Sequence, residues 1–346
     1  MTWLTWRQFR GQFLVGLAVL AVVAAFLLYL GFRMRHVYDT DVAGCVAADG
    51  CDVTLARNTF ANEYGELVTM PAILLMVLPL LVGLFWGTPL VTREFENHTH
   101  RLVWNQSVTR RRWLAVKLAM VGSAAVLVTG AVSGLLTWAA SRYDAVLGSR
   151  FGELSFATRN IVPLGYAAFA FALAVTIGLV VRRTVRAMAV TLLAVAVLQI
   201  LIPGLARGHV LPPVTRSVAY DAGVPDNGGR LAIRREGPVL VTGYVIPGAL
   251  KLSTNEKLLT ATGGETDTAT IRPCLGATSS VQREADPNGG QDPIEACVAG
   301  LNLHFDVTYQ PADRYWSFQR LEFGGFLVLA GLSCAVALWR VRRLTG

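Results

Sequence analysis

The chain has 346 residues, of which 53% are hydrophobic and 16% charged, with a formal net charge of +8 and a mean hydropathy of +0.47. A water-soluble chain of this length carries roughly a quarter charged residues, so the composition excludes a soluble globular protein. Apolar runs of about 18 residues or more read as membrane helices. The first such run is too long for the core of a secretion signal and no small-residue cleavage site follows it, so no cleavable leader is expected.

In chain order, residues 1–12, MTWLTWRQFRGQ, fit a short interfacial helix. At about 100° per residue, Trp3, Trp6, Phe9 and Phe13 share a face opposite Thr5, Gln8 and Gln12, with Arg7 and Arg10 flanking the aromatic stripe. The first span is expected at Phe13–Phe32, followed by a polar segment from Arg33 to Glu66. The second span is Leu67–Thr88, with Pro71 and Pro79 inside it. The polar stretch Pro89–Lys117 separates it from a third span, Leu114–Ala140, where Lys117 is close enough to the start to snorkel. Gly122, Gly130 and Gly134 in that span suit close helix packing. A fourth span, Ile161–Val181, is joined by a basic turn (Arg182, Arg183, Arg186) to a fifth, Ala187–Ala206. Residues 207–320 read as a polar domain of short strands, loops and a helix. Strand-like runs fall at Arg230–Arg234 and Val239–Ile246, and a helical piece at Pro293–Leu301. The last span is Leu321–Trp339, with Glu322 at its mouth and Arg320 near, before a basic tail.

Six spans put both termini on one side. That side carries 14 Lys and Arg against two acids, Glu94 and Glu96, while the other carries 17 against 21. The excess of Lys and Arg marks the cytoplasmic side, so the net charge is a topology signal and not a nucleic-acid signature. Arg33 and Arg35, just outside the first span, run against the trend. The expected architecture is an all-α polytopic membrane protein. It has six transmembrane helices, cytoplasmic termini and a small mixed α/β extracellular domain between the fifth and sixth spans, in the plasma membrane. Cys45, Cys51, Cys274 and Cys297 then fall in external segments, where disulfides persist. Cys45–Cys51 and Cys274–Cys297 are natural pairs, and four cysteines allow three connectivities.

Catalytic motifs are missing. There is no GxxxxGK[ST] phosphate loop, no HExxH and no GxSxG. His98 and His100 form an HxH pair without a third ligand nearby, so they read as polar loop histidines and no metal is expected. No Asp, Glu or His lies at mid-membrane, which disfavours an ion-coupled carrier. The energy for any transport must come from another subunit.

The stretch VTREFENHTHRLVWNQSVTRRRWLAVKL resembles the cytoplasmic loop of actinobacterial ATP-binding-cassette (ABC) type-2 transporter permeases. The N-terminal TWRQFR and the pre-membrane YQPADRYWSFQRLE (Tyr309–Glu322) are similar to the same family. The resemblance implies a six-span permease subunit paired with a second permease, identical or paralogous. Two cytosolic ABC ATPase subunits would carry ATP and Mg, and this chain would be neither an enzyme nor a cofactor holder. It implies domains at 1–12 (elbow helix), 13–206 (five spans, with a coupling loop at 89–113), 207–320 (extracellular domain) and 321–346 (sixth span and tail).

The residues of the loop support a coupling role on their own terms. Thr92 is placed to cap a helix whose first turn holds Glu94 and Glu96, where the dipole favours acids. Phe95, Thr99 and Leu102 share a face. The expected ATPase contact is Glu94, Phe95, Glu96, Thr99 and Arg101. Thr109 caps the next helix, which Arg110, Arg111, Arg112 and Trp113 anchor at the headgroups. Met70, Met76, Phe85 and Gln199 are the candidate walls of a cavity for a lipophilic drug, antibiotic or lipid-like substrate. The expected activity is export of such a molecule out of the cell, with membrane lipids as surroundings and no nucleic-acid partner. The alternative is a receptor whose external domain binds a ligand and signals through the cytoplasmic loops. An intramembrane enzyme is disfavoured by the missing mid-membrane acids and histidines.

Overall fold

The computed structural model describes residues 2–48, 50–97, 109–148, 150–221, 224, 228–233, 237–277 and 293–343. The chain divides into a membrane unit, up to Ala206 and again from Tyr315, and a second unit, Arg207–Arg314. Among the described residues, six helices are long and apolar enough to cross a membrane.

The first helix, α1 (Thr2–Val37), is unbroken. Residues 2–12 are therefore its first three turns and not a separate interfacial helix. Trp3 is exposed while Phe9 is buried, so the aromatics do not share one environment. At 1.5 Å per residue α1 is about 54 Å long, against a hydrocarbon core of about 30 Å. A π-helical turn (Tyr38–Val42) and α2 (Ala43–Ala47) continue it. After a short turn, α3 (Val53–Val82) starts with Asp52 as its cap, the carboxylate accepting from Thr54 N and Leu55 N at 2.9 and 3.0 Å. The polar segment 33–66 is thus mostly the projecting ends of two helices. They are held by a core of Met34, Val42, Phe60 and Tyr64 and joined at the tip by the Cys45–Cys51 disulfide (Cα–Cα 5.4 Å).

A π-helical segment at Gly83–Gly87 leads from α3 directly into α4 (Thr88–Glu96), giving one run of 44 residues from Val53 to Glu96. Then come α5 (Arg110–Ala139), α6 (Ser141–Leu147), α7 (Glu153–Thr158), α8 (Val162–Val181) and α9 (Thr184–His209). The Thr109 cap is as expected: its hydroxyl accepts from Arg112 N. Helix α8 is apolar on all sides, the composition of a helix meant for the interior. It packs on α5, on the α3–α4 run and on α12 (Tyr315–Arg342). Closest approach is made at glycines. A Cβ on Gly87 would lie 2.8 Å from Ala174 Cβ and 3.1 Å from Phe171 O, and one on Gly83 3.1 Å from Ala170 O. In α5, by contrast, Gly122 and Gly130 meet only side chains and Gly134 faces open space.

Among its described residues the second unit holds six antiparallel strands: β1 (Val214–Ala219), β2 (Arg230–Ala232), β3 (Leu240–Thr242), β4 (Leu250–Lys251), β5 (Asn255–Leu259) and β6 (His304–Gln310). Their order is β1-β6-β5-β3-β2, with β4 also on β6. The central β6 alternates as a half-buried strand should: Phe305 and Val307 are buried, Asp306 exposed. They join Val239, Val241, Leu258 and Val298 in one core. Helices α10 (Arg272–Ala277) and α11 (Pro293–Ala299) are tied by Cys274–Cys297, Cα–Cα 5.5 Å.

Candidate functional site

The end of the membrane unit that carries the 89–117 stretch is built around two charges. Glu94, on α4, and Lys117, on α5, form an ion pair of 2.5 Å with side chains 8% and 3% exposed. Lys117 also donates to Leu90 O at 3.2 Å and lies 4.7 Å from the centre of the Trp113 ring. Lys117 thus turns into the protein and does not snorkel to the headgroups. Burying one such charge alone is costly, so the two helices are held in register by the need to keep both paired.

Two residues further, Glu96 reaches across to the start of α9. Its carboxylate accepts from Thr184 N at 2.8 Å and from Thr184 Oγ1 at 2.7 Å, a helix cap supplied from another helix. Thr184 Oγ1 also lies 2.8 Å from Thr92 Oγ1. Thr92 is no cap itself. It sits inside α4, buried, and donates to Thr88 O at 3.0 Å. The turn between α8 and α9 uses a left-handed Arg182 (φ 56°), whose N–H closes α8 on Gly178 O. Its guanidinium stands 5.5 Å from the Phe95 ring centre. Three spans therefore meet at residues 92–96.

Higher up the same run, the π-helical segment shifts the backbone hydrogen bonds by one residue. Gly83 O accepts from both Thr88 N and Thr88 Oγ1, and Phe85 O accepts from Gln12 Nε2 of α1 at 3.2 Å. Such turns recur at functional sites within helices. Beside it lies an almost wholly apolar cavity of about 470 Å³ between α1, α3 and α5, walled by Leu20, Leu78, Trp86 and Val132 with Gln12 at its edge. A smaller cavity, about 280 Å³, opens between Phe9 and Gln12 of α1 and Leu90, Arg93, Glu94 and Asn97.

Among the expected contact residues, Glu94 and Phe95 are buried and Glu96 is exposed. Thr99 and Arg101 lie outside the described residues, as do His98 and His100. Of the four expected cavity residues only Phe85 lines the apolar cavity. Met70 is 64% exposed. Gln199 donates to Met76 O at 2.8 Å, joining α9 to α3. Sequence reasoning missed Lys117 as the partner of Glu94. The signal available was two opposite charges at the facing ends of consecutive apolar helices, which need each other.

Six helices among the described residues long and apolar enough to span a membrane, one of them (α8) apolar on every side, make this a multi-pass membrane protein. The family described as ABC-2 membrane transporter related matches residues 17–207, more than half of the chain, and the chain belongs to it. It is therefore a membrane-transporter permease and not itself an enzyme, and the family implies an ABC ATPase as partner. The match runs from within α1 to near the end of α9 and takes in the ion pair, while Phe9 and Gln12 of the cavity walls lie before it. No curated protein and no solved structure matches the chain.

Proposed function

We propose that the chain is the permease subunit of an exporter of the bacterial plasma membrane, driven by ATP and Mg on two copies of a separate ABC ATPase. A second permease, identical or paralogous, completes it. The termini and the 89–117 stretch face the cytoplasm, in keeping with the excess of Lys and Arg on that side. The observation that carries this reading is the junction at residues 92–96. A force on the stretch after Glu96 reaches α4 directly, α5 through Glu94–Lys117 and α9 through Glu96–Thr184.

Within the proposed contact, Glu94 and Phe95 transmit from inside. The exposed Arg93, Glu96 and Asn97, together with Thr99 and Arg101, face the ATPase. The chain then presents a groove (the cavity beside Arg93 and Asn97) for a partner side chain. The substrate is lipophilic, because the large cavity offers apolar walls with a single amide at its edge. Met70, Met76 and Gln199 would serve its walls only after a movement of α3 against α9.

The test is co-purification with the ABC ATPases of the same cell, using Arg93→Ala and Glu96→Ala. Both are expected to weaken assembly or to uncouple ATP hydrolysis from added lipophilic substrate. Intact assembly and unchanged substrate-stimulated hydrolysis in both variants would sink the coupling role.

A further inference from the structure

At the opposite end of the membrane unit from Glu94–Lys117, a second polar centre is built where α5 ends, α8 begins and α12 begins. A cavity of about 180 Å³ lies there, lined by Asp144, Arg150, Ser155, Arg159, Tyr315 and Trp316, among others. It is smaller than the roughly 300–1,000 Å³ of pockets for drug-sized ligands, and its walls are polar.

The walls are rich in donors. Arg159 is 3% exposed. Its Nε and Nη2 grip Asp144 at 3.1 and 3.4 Å and its Nη1 reaches Thr158 Oγ1 at 3.4 Å. These account for three of its five N–H groups. The Tyr315 hydroxyl accepts from Asn160 Nδ2 at 2.9 Å and from Gln319 Nε2 at 3.1 Å, so its own proton needs a further acceptor. Asn160 is locked in a left-handed conformation (φ 57°) by Thr137, which accepts its N–H, and by Ser133, which donates to its carbonyl. Arg150 is exposed at the rim. Arg35, one of the two arginines that run against the charge asymmetry, donates to Ser141 Oγ at 3.0 Å on another wall. Asp144 is the one carboxylate among the lining residues, and both its oxygens are engaged by Arg159.

We propose that this cavity binds a phosphate group at headgroup depth, as the phosphodiester of an anionic lipid or as a free phosphate. Arg150 and the outward N–H groups of Arg159 supply the charge, and the Tyr315 hydroxyl and Ser155 supply further donors. The half-exposed Trp316 stands at the rim, where interfacial aromatics sit. Location supports the same chemistry. The cavity lies at the ends of three apolar helices, which is where headgroup phosphates run.

The test uses the purified full chain in detergent, with retention read by native mass spectrometry. Probes are phosphatidylglycerol, phosphatidylcholine and inorganic phosphate. Wild-type protein is expected to retain phosphatidylglycerol over phosphatidylcholine, and Arg150→Gln and Tyr315→Phe to lower that retention by about tenfold each. Tyr315→Phe keeps the ring against Phe151 and Phe156 but takes an acceptor from Asn160 and Gln319, so its melting temperature is read beside retention, and Arg150→Gln, at an exposed residue, separates binding from folding. Displacement of the lipid by inorganic phosphate supports a site that takes the free anion too; no displacement assigns it to the lipid. Equal retention by wild type and both variants, or no retention of phosphatidylglycerol or phosphate, overturns the proposal.

Discussion

Glu94 and Lys117, 23 residues apart, share a contact of 2.5 Å in an interior that screens both from solvent. Removing one partner leaves the other charge buried and uncompensated, which costs about 3–5 kcal/mol. Lys117→Met alone is expected to destabilise by that amount in equilibrium unfolding in mixed micelles. Glu94→Leu combined with Lys117→Met is expected to recover wild-type stability or exceed it, since an apolar pair of similar volume avoids the desolvation cost. If that double variant still transports at the wild-type rate, the pair serves folding and not transmission.

The glycines of the π-helical segment are expected to be intolerant. Gly87→Val drives a branched side chain into Phe171 O and Ala174, a small-to-large change costing about 1–3 kcal/mol. Gly134→Ala, where no neighbour lies within 4 Å, is expected to be neutral or slightly stabilising, as alanine favours the helix. Melting temperatures of the two purified variants decide it, and equal losses would contradict the packing described.

The apolar cavity gives a transport prediction. Val132→Phe narrows it from the α5 side, whereas Met70→Ala trims a residue that is 64% exposed and lines no described cavity. In the assembled complex, Val132→Phe is expected to reduce the stimulation of ATP hydrolysis by lipophilic compounds several-fold, and Met70→Ala to leave it unchanged. The reverse order would move the substrate path to the outer face of α3.

The two disulfides differ in the loops they close, with sequence separations of 6 and 23. Chain-entropy arguments give about 2.3 kcal/mol for the shorter and about 3.5 kcal/mol for the longer. The Cys274→Ser/Cys297→Ser variant is therefore expected to lose more stability than Cys45→Ser/Cys51→Ser. Limited proteolysis checks this: the first should expose sites between 207 and 314, the second should cut only near the tip of α2.

Much of the architecture was legible because it is local. The six spans, the Thr109 cap, both cysteine pairs, the strands near 230 and 240 and the helix from Pro293 all follow from hydropathy runs, capping chemistry, spacing or short periodicity. The helical ends across 33–66 were missed because average hydropathy falls there. The stripe Phe60, Tyr64, Val68, Ala72 at a spacing of four carried the signal. The π-helical segment and the pairing of Lys117 depend on neighbours from other helices, which no single window of sequence contains. Residues 94–96 were singled out from their charges and cap chemistry, but which way each side chain turns is decided by α5 and α9.

The run from Val53 to Glu96 has a mechanical reading that follows from where its glycines touch α8. At 1.5 Å per residue, Gly87 stands about 14 Å from Glu96, while Gly83 stands about 45 Å from Val53. If the run turns as one body on that fulcrum, its arms stand in a ratio of about one to three. A tilt that carries the Glu96 tip by 1 Å then sweeps the disulfide-stapled tip by about 3 Å the opposite way. Small strokes at one membrane face would arrive magnified at the other.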